Sequence, residues 1–442
     1  MQKVDTILNA DWVVPVDDKN GVLDKHSVVI NGAYIEAVLP RHECAEKYLA
    51  NETVELPEQV LIPGLINLHT HAAMSLMRGM ADDLPLQEWL ENHIWPTEAA
   101  HIDRQFVYDG TLLAAVEMLK SGTTHFNDMY FFPDEVANAA IAIGIRASVG
   151  MIVIGFPTAW AASTDEYFSH GQRVHDQYRS HPLISTCFAP HAPYTVDDDA
   201  LKRIATIAEE LDVPIHMHLH ETTREIDEHI GTYGMRPMER LNRLGLLSPR
   251  LIAVHMTTLS DDEISEVAKL GVNVAHCPES NLKLASGFCP LQKLLDQGVN
   301  VGIGTDGAAS NNDLDMFGEI RTAALLAKGV SQNACAAAAP DILRLATRGA
   351  AKALGREHEL GSLEPGKLAD IVAVDLGQTV SQPLYDVISQ IIYAGHRDQV
   401  NHVWVGGRTV VKDGELTLID ESAVKMSARN WQKKISATTN AS

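Results

Sequence analysis

Two histidines one residue apart, His69 and His71, close the apolar run "LINLHTH" at residues 65–71. Side chains alternate along a strand, so residues two apart point the same way and can offer imidazole nitrogen to one point. Zinc and related ions take neutral imidazole and carboxylate ligands and, in catalytic sites, keep a position for water. Further along, "VPIHMHLH" and "VGIGTD" add histidines and a carboxylate at the ends of two more apolar runs. His69, His71, His218 and Asp306 are the expected ligands of one divalent ion, Zn²⁺ first, with Fe²⁺ or Mn²⁺ accepted by the same donors. His216 and His220 share the alternation of His218, and spacing alone does not choose among the three. His276, in "VAHCPESN", is a candidate neighbour of the site.

Residues this far apart must be brought together by the fold. Eight short strand candidates alternate with helical segments between residues 61 and 363: "LIPGLINLHTH", "TTHFNDM", "RASVGM", "ISTCFAPH", "VPIHMHLH", "LIAVH", "VNVAHC" and "VGIGTD". The intervening "DGTLLAAVEMLKSG", "DALKRIATIAEELDV" and "SDDEISEVAKLGV" carry helical periodicity. Eight such units match an α/β (β/α)8 barrel, which takes about 250 residues plus insertions and gathers the strand ends at one mouth. Six of the eight candidates end on or beside a histidine or acid: His69 and His71, His191, His218, His255, His276 and Asp306. Residues 1–60 and 364–442 read instead as short β segments, with Asn31-Gly32 and Gly406-Gly407 as hairpin turns. The expectation is a small discontinuous β-sandwich-like domain built from both termini.

Composition narrows the function. Of 442 residues, 45% are hydrophobic, enough for a large core, and the net charge of −23 opposes nucleic acid or an anionic membrane surface as partner. The first residues meet Asp5, Asp11 and Asp17 before an apolar leader could form. Five cysteines without a CxxC pair argue against a disulfide framework, so a reducing cytoplasm is expected. "GIGTDG" at residues 302–307 formally matches a dinucleotide-binding GxGxxG, but Asp306 would set a carboxylate against a pyrophosphate. GxSxG, HExxH and the HxE with PCxxC pattern of cytidine deaminases are all missing.

"PGLINLHTH", "HMHLHET", the strand ending at His255 and "GTDGAASNN" resemble the amidohydrolase superfamily, and most closely its 5-methylthioadenosine/S-adenosylhomocysteine deaminases. Guanine deaminases, cytosine deaminases and triazine hydrolases share these motifs. The resemblance implies a zinc-type hydrolytic deaminase of small nucleosides that often self-associates, with His69, His71, His218 and Asp306 on the metal. It also implies Glu221 as proton shuttle, His255 as second catalytic histidine, Asp306 touching the attacking water, Glu98 on the ribose hydroxyls and His191 reaching the nucleoside, with Trp89 as an apolar wall. Relatives that accept S-adenosylhomocysteine are expected to present arginines after strand three. Residues 147–172 contain no Lys or Arg and offer Phe156, Trp160, Tyr167 and Phe168 instead, which favours a methylthio group over a zwitterion.

Overall fold

The eight sequence-predicted strands all form, and they pair in chain order into one parallel sheet. They are β1 (Leu65–Thr70), β2 (Thr123–Asp128), β3 (Arg146–Val153), β4 (Ile184–Pro190), β5 (Ile215–Leu219), β6 (Leu251–His255), β7 (Asn273–His276) and β8 (Val301–Ile303). The computed structural model describes residues 1–19 and 21–439. The first and last strands meet at the mouth, where Asp306 N–H donates to His69 O at 2.9 Å and Thr305 N–H to Asn67 Oδ1 at 3.0 Å. This is the (β/α)8 barrel that the alternation of elements requires.

Period-two patterning decides which side chains face inward. Ile66 and Leu68 of β1 join Ile252, Val254 and Ala275 in an apolar cluster against the helix Ala350–Ala353. Register sets Ile252 and Val254 beside His216 and His218, so this cluster fills the barrel interior. Asn67 lies on the other face, 3.9 Å from Met118 Sδ, and a register shift between Asn67 and Thr70 turns His69 inward to His216, with His71 following one step beyond the strand. Close contact between β8 and β1 excludes side chains at two glycines. A Cβ on Gly304 would sit 2.7 Å from His69 N, and one on Gly302 2.5 Å from Leu68 Cδ2. The glycines of "GIGTDG" thus serve strand packing, and the dinucleotide reading has no support.

The predicted helices are present as Arg104–Lys120, Asp198–Leu211 and Asp261–Leu270. The last begins with a capping box between Ser260 and Glu263 and ends on Gly271 in the left-handed region.

Both termini contribute to a second, mixed sheet of nine strands. Gln2–Val13 runs parallel to Tyr48–Pro63, which pairs on its other side, antiparallel, with Ile371–Asp375. The two predicted turns form as hairpins: Asn31 pairs Tyr34 across Gly32, and Val405 pairs Arg408 across Gly406-Gly407. One apolar face holds Leu8, Val28, Ile30, Leu61, Ile371 and Trp404. The chain passes directly from this sheet into β1 at Gly64. Arg146, at the start of β3, makes a two-pronged contact with Asp370 (2.7 and 3.1 Å) and binds the two sheets together. The helix Glu421–Thr439 lies on the barrel, with Trp431 edge-on to Phe106 and its indole N–H donating to Asp109 at 2.8 Å. Among the described residues, no helix is long and apolar enough to cross a membrane.

Candidate active site

The carboxyl ends of the barrel strands open into a cavity of about 730 Å³. At its floor, His69, His71, His218 and Asp306 converge, their candidate ligand atoms all within 4.8 Å of one another. Asp306 Oδ1 lies 3.2 Å from His69 Nε2 and 3.3 Å from His71 Nε2, and His218 Nε2 lies 3.2 Å from His71 Nε2 and 3.3 Å from His69 Nε2. Ligands about 2.0 to 2.1 Å from a common centre in a tetrahedron have edges of about 3.3 to 3.4 Å. Four of the six edges fit that spacing.

Tautomers agree with this geometry. His71 Nδ1 donates to Met129 O at 2.6 Å and His218 Nδ1 to His191 O at 2.8 Å. A carbonyl only accepts, so each ring keeps its proton on Nδ1 and turns a bare Nε2 to the centre. His69 Nδ1 meets His216 Nε2 at 2.8 Å. Burial lowers the pKa of His69 to about 4 and of His218 well below the ordinary imidazole value, so both rings are neutral and fit to bind a cation. For Asp306, burial would raise the carboxyl, but the rings of His69, His71 and His255 around it hold it well below the usual range. Its second oxygen accepts from Ser280 Oγ at 2.6 Å, leaving Oδ1 for the centre. Three neutral imidazoles and one carboxylate, each held from behind, fit a divalent ion of the zinc type.

The ambiguity along β5 is resolved by where the strand stops. His216 points inward but supports His69 from behind. His220 lies beyond Leu219 with φ of +53°, outside strand alternation, and its ring accepts Met238 N–H at 3.3 Å. His276 is buried in the wall and neither joins the cluster nor lines the cavity.

Around the floor, Glu221, His255, His191, Glu98 and Trp89 all line the same cavity. His255 sits at φ +75°, where a non-glycine residue is held only by its surroundings. Its Nδ1 is 2.8 Å from Asn281 Oδ1, and its Nε2 faces Glu221 Oε2 at 3.8 Å. Burial raises the Glu221 carboxyl. The turn that carries Glu221 is fixed by Glu225, whose carboxylate accepts both His220 N–H (3.1 Å) and Glu221 N–H (2.7 Å). Burial lowers His191 to about 3, so that ring is neutral. Glu98 lies in the last of a run of short helices between Leu86 and His101, the helix Trp95–His101, accepts Tyr130 O–H at 2.7 Å, and is pushed by burial up to about 7.

One expectation about the apolar wall is corrected. Only Phe156 of its four aromatics lines the cavity. Tyr167 and Phe168 lie on the inner face of the helix Thr164–Tyr178, Phe168 against Phe188, and Trp160 packs on Phe132 and His170. The helical period, not the local richness in aromatics, decided their direction. Leu86, Leu90, Ile94, Trp95, Phe131 and Tyr194 supply the wall instead. Among the described residues, no Lys or Arg lines it. Sequence reasoning also missed Tyr130, Ser280, Asn281 and Glu225. Tyr130 follows the end of β2 by two residues, a position that faces the mouth of a barrel, and that signal was available.

Comparison with known proteins points to one family. The model of the amidohydrolase family matches residues 60–410. A 5-methylthioadenosine/S-adenosylhomocysteine deaminase of Teredinibacter turnerae is 47% identical over 434 residues, covering 98% of both chains. The crystal structure of an adenosine deaminase from Xanthomonas campestris with bound zinc superposes with a TM-score of 0.98 at 51% identity, covering 99% of each chain. Atrazine chlorohydrolase from Arthrobacter aurescens, complexed with zinc, follows at a TM-score of 0.90 and 26% identity, covering 97% of this chain and 100% of its own. The chain belongs to the amidohydrolase family and, within it, to the 5-methylthioadenosine/S-adenosylhomocysteine deaminases.

Proposed function

We propose that the chain is a hydrolytic deaminase that replaces the 6-amino group of 5'-methylthioadenosine, and more slowly of adenosine, with oxygen and releases ammonia. The observation that carries it is one cavity holding a His₃Asp centre, a buried acid beside a histidine, and a separate carboxylate for a sugar. His69, His71, His218 and Asp306 would hold one divalent ion, Zn²⁺ by donor type and by likeness to the zinc-bound Xanthomonas enzyme. Such an ion supplies Lewis acidity, lowering the pKa of water from 15.7 to about 7.

The chain's own residues do the rest. Asp306 and His255 orient the attacking water and accept its proton. Burial raises the Glu221 carboxyl and so favours its protonated form, which delivers a proton to N1 of the purine as C6 is attacked. The Glu221 carboxylate then takes the proton of the new C6–OH while the proton held at Asp306 passes to the amino group, so the C6–N bond breaks, ammonia leaves, C6=O forms and Glu221 is protonated again. Glu98 accepts the ribose hydroxyls, His191 reaches the nucleoside, and Trp89 closes the wall.

The 5' substituent is chosen by what the wall lacks. With no cation to pair its carboxylate, the homocysteine arm of S-adenosylhomocysteine would be desolvated without compensation, whereas a methylthio group loses nothing there. Residues 61–363 form the catalytic unit in this reading, and residues 1–60 with 364–442 its supporting sheet. Four of the five free cysteines are buried, which suits a cytoplasmic enzyme. The test is ammonia release from 5'-methylthioadenosine, S-adenosylhomocysteine, adenosine, guanine and cytosine with added Zn²⁺. The highest kcat/KM is expected for 5'-methylthioadenosine; a clear preference for S-adenosylhomocysteine or a free base overturns the reading.

A further inference from the structure

Glu98 presents an electrostatic problem whose solution names another residue. Among the described residues, it borders a cavity that no Lys or Arg lines, and its one side-chain hydrogen-bond partner is Tyr130 at 2.7 Å. Tyr130 is itself buried, and burial together with Glu98 raises the phenol well above its ordinary pKa, so the hydroxyl keeps its proton and donates. That bond uses the only hydrogen either group has to give when Glu98 is ionised. What the pair then offers to the cavity is acceptors alone: Glu98 Oε2, the free lone pair of Oε1 and the phenol oxygen. Two vicinal hydroxyls satisfy such a surface, and a sugar without them leaves it desolvated and unpaired.

We propose that Tyr130 is the positioning residue for ribose selection, turning Glu98 so that the pair accepts from the 2'- and 3'-hydroxyls together. This rests on the reading of Glu98 as the sugar contact. The location of Tyr130 gives it a second neighbour. The preceding residue, Met129, fixes His71 through its carbonyl, and Asp128 accepts Ala72 N–H at 2.7 Å, so consecutive residues after β2 hold both the metal side and the sugar side of the cavity.

The experiment measures kcat and KM for adenosine and 2',3'-dideoxyadenosine in the wild type, Tyr130→Phe, Glu98→Gln and the double variant, with zinc content alongside. Tyr130→Phe is expected to shrink the preference for adenosine about tenfold, through KM, with kcat within about twofold. Zinc content should be unchanged, and the double variant should lose no more than Glu98→Gln alone. A preference that survives in Tyr130→Phe but vanishes in Glu98→Gln overturns the role of Tyr130 and leaves Glu98 standing. An equal loss on both substrates, or loss of zinc, assigns Tyr130 a purely structural part and also overturns it. A wild type with no preference for adenosine, or a preference untouched by Glu98→Gln, removes the Glu98 reading itself and the proposal with it.

Discussion

The floor and the roof of the cavity are built in opposite ways. The floor takes its four polar atoms from the ends of β1, β5 and β8, and main-chain carbonyls or neighbouring side chains hold them from behind. The roof runs from Arg78 to Asp103 through short helices. Ion pairs at its base, between Arg78 and Glu117 and between Lys283 and Asp82 at 2.7 Å, tie it to the barrel. Ligand geometry tolerates errors of about half an ångström, so it belongs on rigid strands. A roof has to admit and release a nucleoside, and partly exposed ion pairs worth about 0 to 1 kcal/mol each suit that task. Chemistry and selectivity therefore rest on parts of different stiffness.

The contrast breaks most sharply at the floor. His218→Ala should lose bound metal and at least about 10³-fold in kcat/KM, measured by metal analysis and ammonia release. Retention of full metal would remove it from the ligand set. Between floor and roof, Glu221→Gln should lower kcat by about 10² to 10⁴-fold while metal content stays at the wild-type level, because a proton carrier and not a ligand has been removed.

At the roof, Glu98→Gln should cost about tenfold or somewhat more in kcat/KM for nucleosides, chiefly as KM. Since burial pushes Glu98 up to about 7, its ionised form, the better acceptor, fills as pH rises through that value. The kcat/KM ratio of adenosine to 2',3'-dideoxyadenosine should climb across neutrality in the wild type and stay flat in Glu98→Gln. The smallest effect is expected from Lys283→Met, which frees Asp82: a change of less than about fivefold in KM that fades at high salt. A large loss of metal there would show that roof and floor are not separable.

The legibility of the two regions differs for the same reason. At the floor, His69 and His71 were readable because two histidines closing an apolar run are a ligand pattern, although β1 shifts register between Asn67 and Thr70, and the eight strands because apolar runs end on polar residues at regular intervals. His220 shows the limit: the strand stops at Leu219, a left-handed residue follows, and the rule no longer applies. At the roof, Glu98 and Trp89 entered through resemblance to known deaminases, since short helices with a mixed pattern announce no facing direction. Tyr167 and Phe168 looked like wall and proved to be core, because a helix turned them inward.

What the amino-acid order determined by itself was local: strands and helices in alternation, hairpin turns at Asn31-Gly32 and Gly406-Gly407, and ligand-type residues at strand ends. Tertiary structure decided which of the three histidines on and just after β5 reaches the centre, which aromatics face the cavity, and that Tyr130 meets Glu98 across 32 residues of chain. Periodicity fixes direction only inside a regular element. Beyond its last residue, backbone φ and packing from distant segments set the aim of each side chain.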